Sequence, residues 1–394
     1  MADRDADRLM SGEAWREFCD RLKAAGDRIL EPDFPDDGRT RTEGFRALLR
    51  LLSYSTRLEV EAGDPLFPDF VRYEEPHTQW GGPNPDNTYL RARIDPTQSY
   101  RIWANVAGMH GAIFCQHEGD MQLEQYGVYH ECDMEDFETD AAGHFELVLS
   151  PQEHEGNWIP THPKARLFTI RIYLSDWQNH SAPTFHIERV GAEGVAPPPV
   201  TPGQLACGLE RVIHWVEKSS VFWNGYVQKS FAAATPNVAG EVRSTPGGAD
   251  NIAYGSCFWD LADDEALLLT CEVPVARYWN FTIHTMTWLE SGDFPRRQTS
   301  LTGDQVTLDG DGLVRIVLSK EDPGVPNWID SEGRPQGLLA YRWVWAKTMP
   351  TPTARVVKVA DVFEHLPADH GKIGEAERCR QLSARREALW NRYG

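Results

Sequence analysis

Residues 277–288 read Arg277-Tyr278-Trp279-Asn280-Phe281-Thr282-Ile283-His284-Thr285-Met286-Thr287-Trp288. Along a strand, successive side chains point to opposite faces. Trp279, Phe281 and Ile283 therefore form a core face, while Tyr278, Asn280, Thr282 and His284, with Trp288 beyond them, share the other. Hydrogen-bonding groups flanked by wide rings are what a small-molecule pocket requires, because the rings bury the ligand and a few polar atoms orient it. The same face would also suit a contact with a second sheet, and both possibilities stand. Histidine titrates near neutrality, which makes His284 the first candidate for proton transfer, with Tyr278 and Asn280 orienting or polarising the substrate.

A second run, residues 167–177, alternates in the same way. Phe168, Ile170, Ile172 and Leu174 make a core face, opposite Thr169, Arg171, Tyr173, Ser175 and Trp177. Upstream, Tyr89, Arg91 and Arg93 share a strand face. A guanidinium can clamp a carboxylate or phenolate with paired hydrogen bonds, so Arg171 and Arg91 are candidates for an anionic group, with Tyr89, Tyr173, Trp177 and Trp288 as walls. His117 is a second candidate for proton transfer. No metal is expected: His110, His117, His130 and Glu131 fit no common ligand spacing. No cofactor is expected either, since Gly81-Gly82 and Gly247-Gly248 lack the lysine of a phosphate loop, and no G-x-S-x-G elbow occurs.

These runs belong to a pattern that occurs twice. Asn157-Trp158-Ile159 after Leu147-Val148-Leu149-Ser150 reappears as Asn327-Trp328-Ile329 after Ile316-Val317-Leu318-Ser319, and Asp86-Asn87 answers to Asp250-Asn251. His117 and His284 are separated by nearly the same interval, which places them on equivalent strands. A repeat of about 165 residues is a duplicated domain, not a solenoid. The Asn-Trp pairs read as structural, with Trp filling the end of the core and Asn fixing a loop, and the Asp-Asn pairs read as turns. Many short strands without intervening helices predict a mainly β protein with helical segments: two tandem, duplicated jelly-roll-like β-sandwich units.

The expected organisation is a helical segment over residues 1–56 packed on the first unit, a first sandwich over 57–200, a connecting helix over 201–235, a second sandwich over 236–360 and a helical tail over 361–394. Ser11 and Thr201 stand as helix caps, with Pro202 at the first helical position. Trp15, Phe18, Cys19 and Leu22, and then Phe45, Leu48, Leu49 and Leu52, are spaced as buried helix stripes. Residues 232–248 form a Pro/Gly-rich loop, and the C-terminal tail ends in a surface helix containing Leu382 and Leu389.

Read together, Asn84-Pro85-Asp86-Asn87-Thr88-Tyr89, Phe145-Glu146-Leu147-Val148-Leu149-Ser150 with Gly156-Asn157-Trp158, and Pro326-Asn327-Trp328-Ile329-Asp330 resemble a bacterial family. That family carries the domain of unknown function 1214, often beside domain 1254. Ala14-Trp15-Arg16-Glu17-Phe18-Cys19 and Glu43-Gly44-Phe45-Arg46-Ala47-Leu48 extend the resemblance over residues 11–360. It implies jelly-roll-like sandwiches with a small helical part and no agreed catalytic residues.

The chain has 394 residues, a net charge of −20 and 14 tryptophans. Such acidity argues against nucleic-acid and anionic-membrane partners. Seven scattered cysteines without a C-x-x-C read as buried thiols in a reducing compartment, and the N-terminal residues show no apolar signal segment, so a cytoplasmic protein is expected. Broad sandwich faces suggest a homo-oligomer. The sequence thus points to a cofactor-independent acid/base enzyme, a lyase or hydrolase, acting on a small aromatic or apolar molecule bound between or within the sandwiches. The alternative is a carbohydrate- or small-ligand-binding module without catalysis.

Overall fold

The computed structural model describes residues 2–32, 34–244 and 251–393. The chain forms two compact units: Met1–Trp80, Thr88–Ile172 and Pro183–Gly225 make the first, and Gly81–Asn87, Tyr173–Ala182 and Tyr226–Gly394 the second. Asp250 and residues 245–248 of the expected loop lie outside the described residues.

The first part of the chain gives helices α1 (Ala2–Met10), α2 (Glu13–Asp27) and α3 (Gly38–Thr56), then strands β1 (Val71–Arg72), β2 (Asn87–Arg93), β3 (Tyr100–Asn105), β4 (Gly111–His117), β5 (Val128–Asp133), β6 (His144–Ser150), β7 (Trp158–Pro160), β8 (Leu167–Tyr173) and β9 (His186–Arg189). Two sheets result, in the orders β1-β2-β8-β4-β5 and β7-β6-β3-β9. Helix α4 (Pro202–Ala233) follows. The remainder gives β10 (Arg243–Ser244), β11 (Ile252–Asp260), β12 (Glu265–Glu272), β13 (Ala276–His284), β14 (Ser300–Thr302), β15 (Leu313–Ser319), β16 (Trp328–Asp330), β17 (Gln336–Ala346), β18 (Thr353–Lys358) and helix α5 (Glu375–Tyr393). Its sheets run β10-β11-β17-β13-β14 and β16-β15-β12-β18, the same orders strand for strand. The protein is mainly β, built from two duplicated, jelly-roll-like β-sandwich units.

The repeated Asn-Trp pair explains part of this likeness. Asn157 donates through Nδ2 to the carbonyls of Glu138 and Glu146, and its Oδ1 accepts from the Glu138 amide. Asn327 makes the same three bonds to Thr307 and Arg315. Each fixes the loop that precedes a short parallel strand, β7 beside β6 and β16 beside β15. Trp158 and Trp328 donate to the carbonyls of Ser150 and Ser319.

Each core lies between its unit's two sheets. In the first unit Phe114, Phe145, Phe168 and Phe185 stack and edge together, all nearly inaccessible. In the second, Trp259, Phe281, Ile283, Leu318, Tyr341 and Trp343 form one cluster, as the alternation of β13 predicts. Large rings need small neighbours: Gly337 pairs across the ladder with Trp259, and a Cβ there would sit 2.1 Å from the indole. Gly337→Ala should therefore lower the stability of the second unit by about 1–3 kcal/mol through overpacking, seen as an earlier urea transition.

Several local expectations change. In α3 the buried positions are Gly44, Ala47, Leu48, Leu51, Tyr54 and Ser55, whereas Phe45 and Leu49 are exposed. Leucines at 48, 49, 51 and 52 wrap more than one side of the helix, so spacing alone placed Leu48 correctly but missed the direction of the rest of the stripe. Trp15 and Cys19 of α2 are likewise exposed, although Phe18 is buried. The residue before α2 is Gly12, in a left-handed conformation, and Ser11 donates to the Arg8 carbonyl instead of capping, because α1 occupies the preceding turn. Thr201 does cap α4, in a reciprocal pair with Gln204. The cysteines are all free, and Cys19, Cys207 and Cys379 are exposed. Among the described residues no helix is long and apolar enough to cross a membrane.

Candidate functional site

Strand β13 is buried on both faces from Trp279 to His284 and at Tyr278. Its core face meets the other sheet of its sandwich. Its polar face is covered within the same unit by residues 81–87, which fold back over Tyr278, Asn280 and His284. Gly81 and Gly82, at φ 66° and 79°, allow that path, because other residues rarely adopt it.

At the centre is Asp86, fully buried. Its Oδ2 accepts from the Tyr278 hydroxyl and from Asn280 Nδ2, each at 2.6 Å, and its Oδ1 accepts from Trp177 Nε1 at 2.9 Å. Asn84 completes the ring: its Oδ1 accepts from the second hydrogen of Asn280 Nδ2 at 2.8 Å, and its Nδ2 donates to the Tyr278 oxygen at 2.8 Å. Three donors converge on a carboxylate, as its acceptor-only ionised form demands. Burial nevertheless raises the Asp86 pKa above the ordinary carboxylate value, opposed by Tyr278, the Arg385 charge, Asn280 and Arg392. Burial also pushes the Tyr278 phenol well above 10, helped by the Asp86 charge.

The compensating cations come from α5. Arg385 and Arg392 lie over the Trp177 ring at 4.1 and 4.6 Å, and Arg392 donates to the Pro85 carbonyl at 2.6 Å. Burial pulls Arg385 down to about 9, so it remains a cation at neutral pH. With Arg378 these residues sit seven apart on the buried side of the helix. The expected surface helix is thus anchored by its arginines as well as by Leu389.

His284 lies further along the same face. The Ser291 hydroxyl donates to the Pro83 carbonyl at 2.6 Å, so the 3.2 Å contact to His284 must be donated by the ring Nδ1. Nε2 is then the bare nitrogen, and it accepts from Arg342 Nη2 at 3.1 Å. Burial, reinforced by the Arg342 charge, holds the His284 pKa well below 6.5, and the ring stays neutral. Because an unfolded histidine gains its proton near 6.5 and the folded one does not, stability should be full above that pH and fall as pH drops below it. The expected loss is up to about 1.4 kcal/mol per pH unit. Urea midpoints between pH 7.5 and 5 should show this slope, and His284→Gln should remove its share and leave the share of His117, which burial also holds well below 6.5.

Arg342 also donates to the Gly82 carbonyl, and it is paired across the ladder with Asn280. Two buried atoms on these neighbours, Arg342 Nη1 and Asn280 Oδ1, find no hydrogen-bond partner in the protein. A buried donor and a buried acceptor left unpaired on one sheet face call for a water, a ligand or a reacting group.

The other candidates divide by unit. The Tyr173 ring packs against Tyr278 at 4.9 Å, tilted by 57°, and Trp288 is buried in the turn after β13. In the first unit Arg91 is bound by the chain's own Asp120 at 2.8 Å, and the ring of Tyr73 lies under its guanidinium and beside Tyr89. His117 ends β4 as His284 ends β13, and its Nε2 meets Thr169 Oγ1 at 2.9 Å. Burial and then the charges of Arg171 and Arg91 hold His117 well below 6.5. Sequence reasoning missed Asp86, Asn84 and Arg342. Asp86 read as a turn former, and only the fold carries its side chain inward.

Residues 117–176 match the family described as "Protein of unknown function (DUF1214)". A solved structure of an uncharacterised protein from Burkholderia cenocepacia is 32% identical, covers 90% of this chain and 99% of its own, and aligns with a TM-score of 0.81. The chain belongs to the DUF1214 family. The VPA0106 protein from Vibrio parahaemolyticus is also similar, at 12% identity over 79% of this chain and 98% of its own, with a TM-score of 0.45. No protein with a curated description matches. The DUF1214 match begins at His117 and ends short of Trp177, so Asp86, Tyr278, Asn280, His284 and Arg342 all lie outside it.

Proposed function

We propose that this protein is a cofactor-independent enzyme that removes the α-proton from a small aromatic or apolar carbonyl compound at the covered face of β13. This is the first step of a lyase-type elimination in which the enolate's electron pair expels a group from the β carbon. The supporting observation is a buried carboxylate with a raised pKa on a face that also offers an unpaired donor and an unpaired acceptor. Asp86 takes the proton as general base. Arg342 Nη1 donates to the oxyanion that forms, Asn280 Oδ1 accepts from a substrate hydroxyl or N–H, Tyr278 holds Asp86, and neutral His284 holds Arg342. Substrate enters when residues 81–87 lift about Gly81 and Gly82.

The test is loss of the α-proton NMR signal of aryl alkyl ketones and arylacetaldehydes in deuterated buffer. Exchange catalysed by the wild-type protein supports proton abstraction. Exchange no faster than in buffer across the panel argues against it.

The alternative, binding without catalysis, draws support from a cavity of about 280 Å³ in the second unit walled by Trp343 and Trp345. For sugars an open aromatic platform would be needed, and the exposed indoles are those of Trp15 and Trp390.

A further inference from the structure

The 280 Å³ cavity lies at the end of β11 and β17, lined by Asn251, Ala253, Trp343, Trp345, Ala346 and Met349. It is distinct from the Asp86 network, since the Tyr173 ring packs against Trp345 on one side and Tyr278 on the other. No charged side chain lines it. The Trp343 indole already donates to the Pro350 carbonyl at 3.1 Å, but the Trp345 indole N–H is buried with no acceptor in the protein. Trp345 also sits at φ 52°, a backbone conformation that bulky residues rarely adopt and that is found where a site dictates it. The Arg277 guanidinium lies over its ring at 3.9 Å and packs against the indole.

We infer that this cavity binds one small, uncharged aromatic molecule carrying a hydrogen-bond acceptor, an aryl ketone or aryl ether in class. Its rings and methyl groups bury the aromatic part, and the Trp345 N–H donates to the acceptor. A cavity of about 150 Å³ is enough for benzene, so this one holds a single substituted ring. A charged ligand would find no side chain of opposite charge among the lining residues.

The experiment is calorimetric titration of the full chain with acetophenone, ethylbenzene and benzoate, with thermal melts to confirm that each variant is folded. Acetophenone should bind with a Kd of about 1 mM or tighter. Benzoate should not compete with it. Trp345→Phe should weaken acetophenone about tenfold more than it weakens ethylbenzene, because both lose ring contact but only the ketone loses the N–H. Ala346→Leu should abolish binding of both by filling the space. The inference is overturned if acetophenone does not bind, if it binds Ala346→Leu as well as the wild type, or if Trp345→Phe weakens ketone and hydrocarbon alike. Should Ala346→Leu fail to fold, the contrast between the two ligands in Trp345→Phe decides alone.

Discussion

Asp86→Ala should destabilise the second unit by about 3–5 kcal/mol, the range expected when one side of a buried charged network is removed. The substitution leaves the Trp177 N–H, the Tyr278 hydroxyl and one Asn280 N–H without the oxygens they now reach at 2.6–2.9 Å. It also removes the negative charge that interacts with Arg385 and Arg392, which are buried against Trp177. Asp86→Asn keeps one acceptor oxygen and the shape of the group, and should cost less, about 1–3 kcal/mol. Urea unfolding followed by tryptophan fluorescence measures both. If Asp86→Ala unfolds within about 0.5 kcal/mol of wild type, the carboxylate is not the node on which this face is assembled.

Turnover should respond more steeply than stability. Asp86→Asn removes the base and should lower the rate of proton abstraction by ~10²–10⁴-fold in protein that still unfolds cooperatively. Tyr278→Phe should act through Asp86. The phenol hydrogen bond lowers the Asp86 pKa, against the larger effect of burial. Without it the carboxyl holds its proton to higher pH, and the acid limb of the pH profile should move up by about one unit. Phe keeps the ring that packs against Tyr173, so the fold should survive. A rate loss in Tyr278→Phe with an unmoved acid limb would mean that the tyrosine only packs.

The duplication, the strand-rich fold and the two faces of β13 were legible because alternation and a repeated Asn-Trp pair are local signals. Tyr278, Asn280 and His284 do share a covered polar face. What covers it was not legible. The partners of that face come from residues 82–86, 177 and 385–392, and sequence spacing carries no information about contacts at separations near 200 or 300 residues. The arginines of α5 were misleading in a different way. Arg378, Arg385 and Arg392 recur at seven-residue spacing, yet arginine is so seldom buried that the pattern reads as a solvated side. In α3 the difficulty was an excess of leucine, which blurs the direction of the stripe.

The most direct measurement is the rate of α-proton exchange by wild-type protein and Asp86→Asn, side by side, on the carbonyl compound that the wild type exchanges fastest. The expected result is a loss of at least about 100-fold in the variant, with its melting transition still cooperative. A folded Asp86→Asn protein that exchanges the proton as fast as the wild type would contradict the assignment of Asp86 as the base.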